Sequence, residues 1–150
     1  MDKNNSIRLH QIFTAPIDKV FKAFKNADAM ASWLPPYGFV CKVNNIDFKI
    51  GGSYKMTFEN FTTGNKNSFG GEYLEIIPNE KLIYTNQFDN PNLSRQMITT
   101  IELKEVQCGT ELFATQEGIP FEIPLEMCYL DWQESLDKLK RLVEPNIPDA

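Results

Sequence analysis

The sequence predicts an α+β domain in which a strongly curved antiparallel sheet of about seven strands wraps around one long C-terminal helix, with two short helices after the first strand. Three observations carry that expectation. A period-2 apolar alternation opens the chain, strand-length runs separated by turn residues fill its middle, and after Gly118-Ile119-Pro120 the apolar period changes to three and four. A chain of 150 residues is long enough to bury a core within one domain. Residues 1-150 are therefore read as one unit, with a core from about 6 to 144 and a mobile polar tail over 145-150.

Ile7, Leu9, Gln11 and Phe13 alternate with Arg8, His10 and Ile12, the pattern of a strand with one face turned inward. Pro16 suits the first turn of a helix that runs to about Phe24 and carries Val20, Phe21 and Phe24 on one face. Asn26 to Trp33 reads as a second short helix, which Pro35-Pro36 must end. From Phe39 to about Ile101 the turn signals fall at Gly51-Gly52, Thr63-Gly64-Asn65, Pro78-Asn79-Glu80 and Asp89-Asn90-Pro91-Asn92, spacing out an antiparallel meander. A further strand pair covers Gln96 to Val106 and Thr110 to Gln116, with the turn at Cys108-Gly109. The last element is an amphipathic helix from about Phe121 to Val143. Leu125, Cys128/Tyr129, Trp132, Leu136, Leu139 and Val143 form its apolar stripe, whereas Glu134, Asp137, Lys138, Lys140 and Arg141 face away.

Composition excludes several classes of function. The 42% apolar and 23% charged content is that of an ordinary globular chain and not of a disordered one. With 15 Lys+Arg against 20 Asp+Glu, interspersed, the chain has no phosphate-tracking surface, so nucleic acid is not an expected partner. No apolar run is long enough to span a bilayer, and MDKNNSIRLHQIF lacks the basic-then-apolar order of a secretion signal. A cytoplasmic protein with no membrane partner is the expectation. Cys41, Cys108 and Cys128 form no CxxC pair and His10 is the only histidine, so no metal site and no cofactor are assigned. Nothing near Cys128 in sequence would activate its thiol, and His10 falls on the outer face of its strand. Glu72 and Glu75, three apart in a strand, point to opposite faces and make no acid/base pair.

Several blocks, in order along nearly the whole chain, resemble the activator-of-heat-shock-protein-90-ATPase homologue branch of the START-like (SRPBCC, Bet v-like) superfamily. They are Phe13-Thr14-Ala15-Pro16, Ala31-Ser32-Trp33-Leu34-Pro35-Pro36-Tyr37-Gly38-Phe39, Asp47 before Gly51-Gly52-Ser53-Tyr54, and Phe69-Gly70-Gly71-Glu72-Tyr73-Leu74-Glu75-Ile76-Ile77-Pro78. Cys108-Gly109-Thr110-Glu111-Leu112, Gln116-Glu117-Gly118-Ile119-Pro120 and Trp132-Gln133-Glu134-Ser135-Leu136 complete the set. The resemblance, strongest to bacterial stand-alone members, implies a helix-grip fold. Asp131 departs from the glycine often found before the helix tryptophan, which either loosens helix-to-sheet packing there or places a carboxylate at a cavity edge.

A sheet that bends around a helix need not close on it everywhere, and the hollow it leaves is the candidate site. Trp33 and Phe39 belong to the proline-stiffened segment that flanks the cavity entrance in related folds. Tyr54 and Phe58 alternate in one strand and Tyr73 lies in the next. Phe88, Met97 and Thr99 follow, and Gln116 takes an inward position that needs a hydrogen-bonding partner. Cys128, Tyr129 and Trp132 come from the helix stripe. The function expected is binding of a small hydrophobic or amphipathic organic ligand between sheet and helix. The resemblance also implies two alternatives, a co-chaperone-like contact with a heat-shock-protein-90 ATPase and a cyclase- or hydrolase-type enzyme using the same cavity. No catalytic residue is assigned, and the oligomeric state, a homodimer included, is left open.

Overall fold

The computed structural model describes residues 5–93 and 95–149, so Ala150 of the predicted tail lies outside them. Alternation in β1 (Ile7–Phe13) turns Ile7, Leu9 and Phe13 inward and Arg8, His10 and Ile12 outward. Two helices follow, α1 (Ile17–Lys25) and α2 (Ala27–Trp33). Asn26 separates them, its side chain accepting a hydrogen bond from Ala29 N at 2.9 Å as an N-cap. The meander is β2 (Phe39–Ile46), β3 (Ser53–Asn60), β4 (Lys66–Ile77), β5 (Lys81–Phe88), β6 (Met97–Val106) and β7 (Gly109–Glu117), with every break at a predicted turn. The strands form one curled sheet in the order β1-β7-β6-β5-β4-β3-β2, and every neighbouring pair is antiparallel.

The C-terminal helix α3 runs over Leu125–Val143. It begins four residues later than the sequence suggests, because Pro120 to Ile123 form a turn, closed by Ile123 N donating to Pro120 O at 3.0 Å, and Pro124 occupies the N-cap position. Its two halves behave differently. Leu136, Leu139 and Val143 are buried against the inward residues of β1 and the first helices, whereas nothing from Leu125 to Glu134 is fully buried. The backbone of α3 stays more than 8 Å, Cα to Cα, from β3, β4, β5 and β6. The helix is therefore packed closely on β1, α1 and α2, and the hollow lies over β3 to β5.

A clasp holds α3 at this stand-off. Ser135 Oγ donates to Leu34 O (2.6 Å), Lys138 Nζ to Pro35 O (2.9 Å) and Tyr37 N to Glu134 Oε1 (3.0 Å), while Tyr37 Oη donates to the Asp137 carboxylate. The Pro35-Pro36 break leaves these carbonyls outside any helix or sheet, and side chains at consecutive turns of α3 satisfy them. Lys138 thus does not simply face solvent, as the helical stripe implies. It is partly desolvated, which lowers its pKa.

Gly71 in β4 lies tightly against the β5 backbone. A Cβ there would lie 1.8 Å from Thr85 O in β5. Gly71→Ala is expected to destabilise the protein by about 3 kcal/mol, the upper end for overpacking, in urea unfolding. A loss under about 1 kcal/mol would mean that β4 and β5 separate easily.

Candidate ligand cavity

Between the free half of α3 and the sheet lies a cavity of about 660 Å³, within the range of pockets that enclose a drug-sized molecule. Period-2 geometry builds its floor. Tyr54, Met56 and Phe58 are alternate residues of β3, and Leu82, Tyr84, Asn86 and Phe88 are alternate residues of β5. Phe69 and Tyr73 of β4 lie between them, with Met97 of β6 and Gln116 of β7 beyond. Phe24, Met30, Leu34 and Phe39 form the side wall, and Cys128, Asp131, Trp132 and Ser135 form the roof.

The floor carries a continuous hydrogen-bond chain. Trp132 Nε1 donates to Gln116 Oε1 (3.3 Å), and Gln116 Nε2 donates to Thr99 Oγ1 (3.2 Å). Thr99 Oγ1 in turn donates to Asn86 Oδ1 (2.6 Å), Asn86 Nδ2 to Tyr54 Oη (2.8 Å), and Tyr54 Oη to Thr85 O (2.7 Å). It crosses from α3 over β7, β6, β5 and β3 with all donors pointing one way, so each bond polarises the next in the same sense. Among the described residues no fully enclosed side-chain nitrogen or oxygen lacks a partner.

The interior is electrically neutral. Burial pushes the phenols of Tyr54, Tyr73 and Tyr84 well above the ordinary tyrosine range, and the repulsion that their ionised forms would feel from one another adds to this for Tyr54 and Tyr84. The charged lining residues Lys66, Asp89 and Asp131 are all exposed at the rim. Desolvation and the nearby Glu134 raise the Asp131 carboxyl, so Asp131 is the carboxylate at the cavity edge, one of the two consequences its departure from glycine allowed. Burial raises the Cys128 thiol, as does Asp131, and burial takes Cys41 up to about 11. Neither thiol is activated.

Of the residues singled out from sequence, Phe39, Tyr54, Phe58, Tyr73, Phe88, Met97, Gln116, Cys128 and Trp132 line this one space. Three do not. Trp33 is fully buried, its Nε1 donating to Ala23 O at 2.9 Å and its ring set edge-on to Phe24, so it locks α2 to α1 instead of standing at an entrance. Tyr129 is on the outer side of α3 and 40% exposed, because positions 128, 131/132 and 135 share the inner face and 129 lies about 100° away. Thr99 sits behind the lining and meets it through Asn86, Gln116 and the Tyr84 hydroxyl. Sequence reasoning missed Met56, Tyr84 and Asn86, although Tyr84 and Asn86 are in phase with Phe88. An asparagine inside an apolar strand was the available signal, since strands disfavour it. His10 is on the outer surface, bonded to Glu111 at 2.7 Å and stacked on Phe113. Among the described residues, no three His, Cys, Asp or Glu side chains are grouped to hold a metal ion. No helix is long and apolar enough to cross a membrane.

A curled antiparallel sheet gripping a C-terminal helix over an aromatic-walled hollow defines a START-like helix-grip domain. The chain belongs to the family described as Activator of Hsp90 ATPase homolog 1-like protein, whose model matches residues 14–144. Among solved structures it is similar to protein CV1439 from Chromobacterium violaceum, at 52% identity and a TM-score of 0.94 over 95% of this chain and 99% of that one. Two more distant structures share the fold. Protein NE0264 from Nitrosomonas europaea is 20% identical with a TM-score of 0.78, covering 95% of this chain and 96% of its own. The AHSA1 protein SPO3351 from Silicibacter pomeroyi is 16% identical with a TM-score of 0.77, covering 91% and 96%. No curated protein matches.

Proposed function

We propose that this protein binds a small, largely apolar organic molecule in the cavity between α3 and β3 to β5. The observation that carries the reading is the hollow itself. Interiors normally close to crystal-like density, yet here about 660 Å³ is held open by aromatic walls and by a clasp that keeps α3 off the sheet. The neutral interior and the absence of an acid/base or nucleophile pair in the lining favour binding over catalysis. The reading includes a cytoplasmic setting, with which three unpaired cysteines agree.

Bromobenzene, an apolar contact quencher, tests it. In Trp33→Phe protein, where Trp132 is the remaining tryptophan, quenching should saturate, because Trp132 lines the cavity. In Trp132→Phe protein, where Trp33 remains, emission should be unaffected, because Trp33 is sealed in the core. Quenching that never saturates, or that is equal in the two variants, would overturn the cavity reading. Native mass spectrometry of gently purified protein supplies the natural occupant's mass.

A further inference from the structure

We infer that Tyr73 is the hydrogen-bond donor that reads the occupant of this cavity, and that the ligand class is neutral, mostly aromatic or alicyclic molecules bearing an accepting oxygen such as a ketone. This rests on the cavity reading above and narrows it.

Counting the donors leads to Tyr73. Among the floor's N–H and O–H donors, the single N–H of Trp132 and the single hydroxyl hydrogens of Thr99 and Tyr54 are already committed to protein acceptors, and Asn86 and Gln116 each commit one of two amide hydrogens, so the uncommitted hydroxyl is sought among the remaining phenols. The Tyr84 hydroxyl has Thr99 as its neighbour in hydrogen-bonding reach. Tyr73 differs: it is 2% exposed and lines the cavity, and its hydroxyl has no protein partner among the described residues. Because every fully enclosed polar side-chain atom there is partnered, that hydroxyl opens onto the cavity space. The protein offers that hydroxyl no acceptor, and an oxygen on the occupant supplies one.

The same surroundings set the occupant's charge. Tyr73 is flanked by Phe48, Tyr54 and Tyr84, with ring centroids 5.0, 5.5 and 6.1 Å away. No cation is among these neighbours. The basic lining residue, Lys66, is exposed at the rim, where Asp89 and Asp131 are also found. A carboxylate or sulfonate carried in to Tyr73 would be desolvated with no counter-charge, whereas a carbonyl loses little and gains the bond.

Three naphthalenes of matched size form the test, by titration calorimetry at neutral pH: acetylnaphthalene, isopropylnaphthalene and naphthoate. The ketone should bind about fivefold more tightly than the hydrocarbon, the value of one net hydrogen bond, and naphthoate more weakly than either. Tyr73→Phe should bring the ketone-to-hydrocarbon affinity ratio down to about one. Because the readout is a ratio within each protein, a general loosening of the variant does not mimic it. If isopropylnaphthalene binds and the ketone has no advantage, or the advantage survives in Tyr73→Phe, Tyr73 is not the reader and the cavity reading stands. If naphthoate binds most tightly, the neutral-ligand class is wrong. If none of the three binds the wild-type protein, the inference falls together with the cavity reading.

Discussion

Truncating Leu136 to alanine is expected to lower the free energy of unfolding by about 2–5 kcal/mol, the cost of removing a buried leucine together with the void it leaves. Leu136 is 2% exposed in the half of α3 that packs on β1 and the first helices. Leu130, one and a half turns earlier, is 50% exposed, and Leu130→Ala should change stability by less than about 0.5 kcal/mol. Urea unfolding of the two variants measures the contrast directly. Similar losses for both would mean that Leu130 is buried in solution and that the outer face of α3 is misassigned.

Asn86→Leu is the second large effect expected, a loss of about 1–3 kcal/mol from a substitution that keeps the branched side-chain shape. Asn86 is the middle link of the floor chain. Its carbonyl oxygen accepts from Thr99, which is fully buried, and its amide donates to the Tyr54 hydroxyl. Leucine would leave the Thr99 hydroxyl hydrogen without its acceptor, while Tyr54 loses a donor but keeps its bond to Thr85 O, and one stranded buried donor costs about 1–3 kcal/mol. Gln116→Leu should cost less, because Gln116 is only half-buried and its two bonds, at 3.2 and 3.3 Å, are longer. Thermal unfolding of the pair gives the order. A neutral Asn86→Leu would show that water from the cavity already satisfies Thr99 and Tyr54, and that the chain contributes little rigidity.

The elements were largely legible because their signals are local. Period-2 alternation in β1, turn residues at 51-52, 63-65, 78-80 and 89-92, and the three/four spacing of Leu136, Leu139 and Val143 depend on residues within a few positions of one another. Most of the cavity lining followed by the same logic, since once a strand's phase is known its inward residues are known. The misplacements share one cause. Trp33 and Tyr129 are apolar positions on helices, and apolarity alone does not say which neighbour a helix face will meet. Trp33 met α1 and Tyr129 met solvent. Lys138, polar and outward by spacing, met a main-chain carbonyl that Pro35-Pro36 had left without a partner.

By itself the sequence determined the order and type of the elements and the antiparallel meander, which follow from residue type and short-range spacing. Whether the inward aromatic wall closes on itself or encloses a space was decided by tertiary structure alone. That outcome turns on the height at which α3 sits above the sheet, and the height is set by hydrogen bonds between Leu34 to Tyr37 and Glu134 to Lys138, about a hundred residues apart. The floor chain has the same character. It links residues from four strands and a helix whose distances in sequence carry no information about their distances in space, and only the curl of the sheet brings Trp132, Gln116, Thr99, Asn86 and Tyr54 into one line.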